Sequence, residues 1–247
     1  MTEDRPIPLP GAIGISHVDC YDWPASDGLG GGSPHMHLAC TEAYVVIEGS
    51  GVVQTLSSAG YREDELTAGA VVWFEPGTVH RMVGHERLRV TVLMQNSGLP
   101  EAGDAVFTFP PEILADRDAY AAAAALPDGA NAEQAARRRR DLAVSGYLPL
   151  RDALHAGDPE PLREFHRAAA ALVSPRLERW KTLWRGGALA AAERTGARLD
   201  ALAEGDTDEL ANSRVRLAHP SRHGGYGMCG RRDEYEIPGT TVAYGGE

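Results

Sequence analysis

Cysteine is scarce in this chain: Cys20, Cys40 and Cys229 are the only three in 247 residues. They are far apart and odd in number, so no disulfide framework follows and a reducing compartment suits them. No run of 18 apolar residues occurs, and the alanine tract Ala121–Ala125 is too short to cross a bilayer. The opening stretch MTEDRPIPLPGAIG has no basic region followed by an apolar one, so a cytoplasmic location is expected. Surplus positive charge is also missing. Against 35 Asp and Glu there are 24 Lys and Arg, a net charge of −11. Nucleic acid and anionic membranes both need clustered positive charge, so neither is expected as the main partner. There is no G-x-S-x-G elbow, no P-loop, and no G-x-G-x-x-G that follows a strand and opens a helix.

What is present is a 43% hydrophobic composition, enough for one large domain or a barrel with an appended module. The chain reads in three parts, without internal repeats. Residues 11–109 carry short runs rich in Val, Ile, Tyr and Trp (AIGISHVDCYDW, EAYVVIEG, GVVQTL, AVVWF, LRVTVLM), separated by Gly- and Pro-bearing turns. Six or so strands at that spacing predict a sandwich or barrel. Residues 112–205 are rich in Ala, Arg, Glu and Leu with helical periodicity. A helix start is expected at Asp158–Pro159 and a break at Gly186–Gly187. From about 213 the sequence returns to Gly-rich, irregular character. The expected division is a barrel over 1–110, helices over 111–210 and an irregular segment over 211–247 packed back on the barrel.

The informative stretch is GGGSPHMHLACTEAYVVIEGSG. His35 and His37 are two apart, which on a strand turns both rings to one face. Glu42 follows after four residues, and GAVVWFEPGTVH delivers His80 just after a Pro-Gly turn. Three imidazoles and a carboxylate are a donor set for one divalent transition metal, Fe, Mn, Ni, Co or Zn. Four protein ligands on an ion that takes six leave two positions open, the mark of a catalytic site.

The compound pattern H-x-H-x4-E-x6-G, an intermotif stretch and P-G-x-x-H resembles the two motifs of the cupin superfamily. His35, His37, Glu42 and Gly49 match the first motif; Gly69, Gly77 and His80 match the second. The likeness covers roughly residues 28–95. It departs at Leu29, where a glycine is usual, at Glu75, with proline displaced to Pro76, and at Gly84 in place of asparagine. The resemblance implies a mainly β, double-stranded β-helix (jelly-roll) barrel, with an α-helical C-terminal region appended, and a metal held by His35, His37, Glu42 and His80. It also implies a homodimer. The family hosts several reactions, so two functions are expected as alternatives. One is an enzyme (dioxygenase, isomerase or lyase) acting on a small oxygenated substrate such as a sugar, keto-acid or phenolic compound chelated at the metal. The other is a non-catalytic binder or sensor.

Counting in twos from Glu42 puts Tyr44 on the ligand face, either as a catalytic group that stabilises or shuttles a proton or as barrel core. Gln54, Trp73, Met82 and Gln95 are read the same two ways, and Cys40 as a small buried filler. Arg137–Arg140 is expected on a solvated helix surface with Glu133 and Asp141 as partners. Trp180 and Trp184, four apart, predict an apolar helix face. His219, His223 and Cys229 match no trusted metal spacing.

Overall fold

A computed structural model describes residues 9–235; the expected barrel residues 1–8 and the C-terminal residues 236–247 lie outside them. Nine strands form one antiparallel sheet curled into a barrel: β1 (Gly14–Cys20), β2 (His35–His37), β3 (Glu42–Ser57), β4 (Gly60–Thr67), β5 (Val71–Phe74), β6 (Val79–Met94), β7 (Ala105–Phe107), β8 (Arg222–Tyr226) and β9 (Gly230–Glu234). The order is β4-β3-β6-β1-β9-β8, with β5 on β3 and β2 between β6 and β7.

Two bent strands make the barrel. β3 and β6 are 16 residues each and pair along most of their length. The first part of β3 also pairs with β5, and its second part with β4. Register shifts between Val46 and Gly51 bend β3 from one wall into the other. Gly49 sits in that bend at φ 76°, and a Cβ there would meet the Glu86 carbonyl oxygen at 2.0 Å. Two walls sharing long bent strands are the double-stranded β-helix, so the barrel is of the cupin type.

Alternation sets what faces inward. Glu42, Tyr44 and Val46 are buried, while Ala43 and Val45 are only partly covered. The barrel interior gathers Tyr44, Val53, Phe74, Met82, Val90 and Val92. Trp73 is 67% exposed and points outward, because the pairing Glu42↔Phe74 gives the inward position to its neighbour.

Seven helices follow among the described residues: α1 (Pro111–Leu114), α2 (Arg117–Ala124), α3 (Ala132–His155), α4 (Glu160–Val173), α5 (Leu177–Trp184), α6 (Ala190–Ala203) and α7 (Asp208–Ala211). Asp158 accepts from the Glu160 amide at the start of α4. Gly186–Gly187 does not break the chain: residues 185–189 form a π-helical turn that runs from α5 into α6. A second core, with Met36, Leu56, Phe109, Tyr147, Phe165 and Trp180, joins the helices to the outer barrel wall.

Two expectations are corrected here. The segment after 213 is not wholly irregular, since β8 and β9 form a hairpin and β9 pairs with β1. Its glycines hide the strand pattern from the sequence. Nor is Arg137–Arg140 a solvated surface throughout. Arg137 pairs with Glu133, but Arg139 and Arg140 are buried. Arg139 donates to the Gly227 carbonyl at 2.7 Å, and Arg140 donates to the carbonyls of Trp23 and Pro24 as well as to Asp141. Arginines on one helix thus tie the segment that follows β1 to the turn between β8 and β9. Arg140→Met removes the donors to two carbonyls and is expected to cost about 2–4 kcal/mol of stability. Urea unfolding checks this, and an unchanged midpoint refutes the clamp.

Candidate metal centre

The barrel brings the four sequence-assigned side chains together. One nitrogen each of His35, His37 and His80 and one oxygen of Glu42 all lie within 4.8 Å of one another. Three elements place them. His35 and His37 come from β2, Glu42 opens β3, and His80 stands on β6 directly opposite His35 in register. Gly77, at φ 90° in the turn before His80, donates its amide to the His37 carbonyl and so closes the turn onto β2. His166 of α4 contacts the Gly77 carbonyl at 2.9 Å from outside.

Each imidazole is oriented by its Nδ1. His35 Nδ1 lies 2.9 Å from the Ser33 carbonyl, His80 Nδ1 3.1 Å from the Thr78 carbonyl, and His37 Nδ1 3.0 Å from an Asp104 carboxylate oxygen. Carbonyl and carboxylate oxygens only accept, so each Nδ1 carries a proton and each Nε2 points into the cluster. The inner atoms then converge on Glu42, whose Oε2 lies 3.3 Å from His37 Nε2. His80 Nε2 is 2.9 Å from Glu42 Oε2, yet both atoms are buried and make no hydrogen bond. Three buried ring nitrogens and a carboxylate aimed at one point fit a cation, which takes the place of the proton His37 shares with Glu42, and this donor set fits a divalent transition metal.

All four side chains are at most 5% exposed. Burial, together with the neighbouring His80, holds the His35 pKa well below the usual histidine range. Burial pulls the same way on His37, but the hydrogen bonds to Asp104 and Glu42 outweigh it and raise His37 to about 9. Burial resists ionisation of Glu42, but His80 and His37 outweigh it and hold Glu42 well below the carboxylate range.

Asp104 was not legible as a site residue. It is fully buried, 62 residues beyond Glu42, and accepts from the amides of Leu38 and Ala39 as well as facing His37. It ends the 100–104 turn, which α5 holds through Trp180 Nε1 donating to the Ala102 carbonyl at 3.1 Å.

Tyr44 lies beside the cluster, fully buried, with its ring edge-on to Phe74 and its hydroxyl 3.3 Å from Cys229 Sγ. Burial, with Cys229 and Glu42 nearby, raises its pKa well above the usual tyrosine value, so it is a neutral hydroxyl. Phe74 stacks on His80 at 4.5 Å and Phe107 stands 6.5 Å from His35. Met82 lies in the barrel interior; Gln54 is buried against Glu63 and Tyr147, and Gln95 is exposed at the barrel end. Cys40 is buried in the helix-facing core. His223 is 72% exposed beside Asp233, away from the buried Cys229.

No protein-family model matches the chain, and a search of curated proteins returns no match. Solved structures overlap it in part. A TDP-quinovose 3,4-ketoisomerase from Campylobacter jejuni is 13% identical over 33% of this chain, with TM-score 0.28, and the match spans 60% of that enzyme. A Klebsiella pneumoniae protein with a double-stranded β-helix domain is 17% identical over 38% of this chain and 80% of its own, with TM-score 0.26. The cupin domain of Drosophila melanogaster CENP-C is 14% identical over 34% of this chain and 59% of its own, with TM-score 0.27.

Asp104→Ala is expected to weaken metal binding by about 10–100-fold while the barrel stays folded. Competition against a chromogenic chelator measures it; unchanged affinity removes Asp104 from the site. The same assay has a defined pH course. Below about 9 the metal-free His37 carries a second proton on the nitrogen a metal must take, so uptake releases a proton and tightens as pH rises to about 9. Affinity that is flat between neutral pH and 9 contradicts this.

Proposed function

We propose that this chain is a metal-dependent cupin enzyme acting on a small oxygenated molecule. The observation that carries it is the convergence of three Nε2 atoms and one carboxylate oxygen on a single buried point. His35, His37, Glu42 and His80 are the ligands in this reading. A divalent Fe, Mn, Ni, Co or Zn held there would supply Lewis acidity toward a substrate oxygen.

The chain's own residues do the rest. Ser33, Thr78 and Asp104 fix the ring orientations, and ionised Glu42 offsets part of the ion's charge. Phe74 stacks on His80 and Phe107 lies near His35, so part of the cluster's lining is aromatic. That lining favours a keto-acid or phenolic compound over a sugar, whose many hydroxyls need polar partners. Tyr44 stays protonated and acts as a hydrogen-bond donor or as the packing support of His80. Oxygenase or lyase chemistry suits such substrates better than sugar isomerisation.

A second reading, a non-catalytic binder or sensor, has one observation in its favour. All four ligands are almost fully covered, and a helical layer lies against the barrel wall. Assembly as a homodimer is part of the proposal, supported by the apolar outer sheet face, where Ile47, Val71 and Trp73 are 48%, 55% and 67% exposed. A cytoplasmic location is proposed from the three free cysteines. No helix among the described residues is long and apolar enough to cross a membrane.

Protein purified without a metal-affinity tag is expected to hold close to one transition metal per chain, by elemental analysis. His37→Ala and His80→Ala should lose it while circular dichroism stays unchanged; full occupancy in either variant refutes the ligand set. Oxygen consumption with catechols or 2-keto acids supports the enzyme, whereas metal-dependent binding without turnover across both classes supports the sensor.

A further inference from the structure

A cavity of about 440 Å³ lies outside the barrel, between its 95–99 end and α5. Leu99, Leu177, Trp180 and Trp184 supply apolar walls, and Gln95, Asn96 and Lys181 the polar groups. Ala39 also lines it, and its amide donates to Asp104 at 2.7 Å, so the cavity abuts the carboxylate that orients His37. Its volume falls within the range of small-molecule sites, about 300–1,000 Å³.

Two of the three polar groups, Gln95 and Lys181, have donors to offer, whereas Asn96 is buried with its carboxamide nitrogen toward Cys40 Sγ. Gln95 accepts from the Thr41 amide through its carbonyl oxygen, which leaves the carboxamide nitrogen to donate. Lys181 pairs with Glu178 three residues earlier, and both are exposed, so a ligand acid displaces that contact at little cost. Trp180 has its indole N–H on the Ala102 carbonyl and offers only its ring, whereas Trp184 is 40% exposed. Flat aromatic walls with donors at the edge suit a planar apolar body bearing an acceptor group.

We propose that this cavity binds a small planar, mostly apolar anion, its ring against Trp184 and Trp180 and its acid group toward Lys181 and Gln95. The site is separate from the metal cluster, and its occupancy does not depend on the metal.

The test uses the whole metal-free chain and two probes: 8-anilinonaphthalene-1-sulfonate, which is anionic, and N-phenyl-1-naphthylamine, which is uncharged. Titration followed by tryptophan-to-probe energy transfer should show one saturable site. Trp184→Ala should weaken both probes by about tenfold or more, and Lys181→Met should weaken only the anionic one to that degree. Both side chains are at the surface, and melting by circular dichroism confirms folding. Leu217→Ala, at a residue 83% exposed and away from α5 in sequence, should change neither. The proposal is overturned if binding does not saturate, if Trp184→Ala and Lys181→Met bind like the parent, or if Leu217→Ala removes binding.

Discussion

Three imidazoles buried side by side must each present a lone pair rather than a proton to the same point. This constraint organises the centre, and the chain meets it by giving every Nδ1 an acceptor. Two of those acceptors are backbone carbonyls two residues before their histidines, at Ser33 and Thr78, so strand and turn geometry provide them locally. The third is Asp104, a charge buried at a distance in sequence and stabilised by two amides as well as by His37. An uncompensated carboxylate at that depth is costly, so ring orientation and the 100–104 turn stand or fall together.

That turn links the helical region to the barrel. α5 fastens it through Trp180, α4 reaches the turn before His80 through His166, and α3 holds the segment after β1 and the β8–β9 turn through Arg140 and Arg139. The helices therefore brace the segments that present the ligands.

Legibility followed the range of the interactions. Period-two alternation put His35 and His37 on one face, and the likeness to the two cupin motifs added Glu42 and His80, because those signals lie within a strand and its neighbouring turn. They also identified Tyr44 as inward-facing. Asp104 left no such trace, because its partners are assembled by folding. The arginine run misled for a related reason. A run covers every face of a helix, but the barrel meets only one, and there Arg139 and Arg140 find carbonyls in place of water. The β8–β9 hairpin was hidden because backbone pairing, of Gly225 to Arg232 and of Gly230 to Cys20, holds it in place of side-chain alternation.

That pairing also bears on the order in which the molecule assembles. β1 near the start of the chain lies beside β9, with Ser16 opposite Glu234 and Cys20 opposite Gly230. Closing so large a loop carries a high entropic cost, and such non-local contacts form late. During synthesis β1 must wait, with one edge open, until residue 234 has emerged. The hairpin also delivers Cys229 to the Tyr44 hydroxyl, so the barrel interior stays incomplete for the same interval. In this topology one of the earliest strands to be made is among the last to be sealed, and the exposed edge is a hazard of translation rather than of the native state.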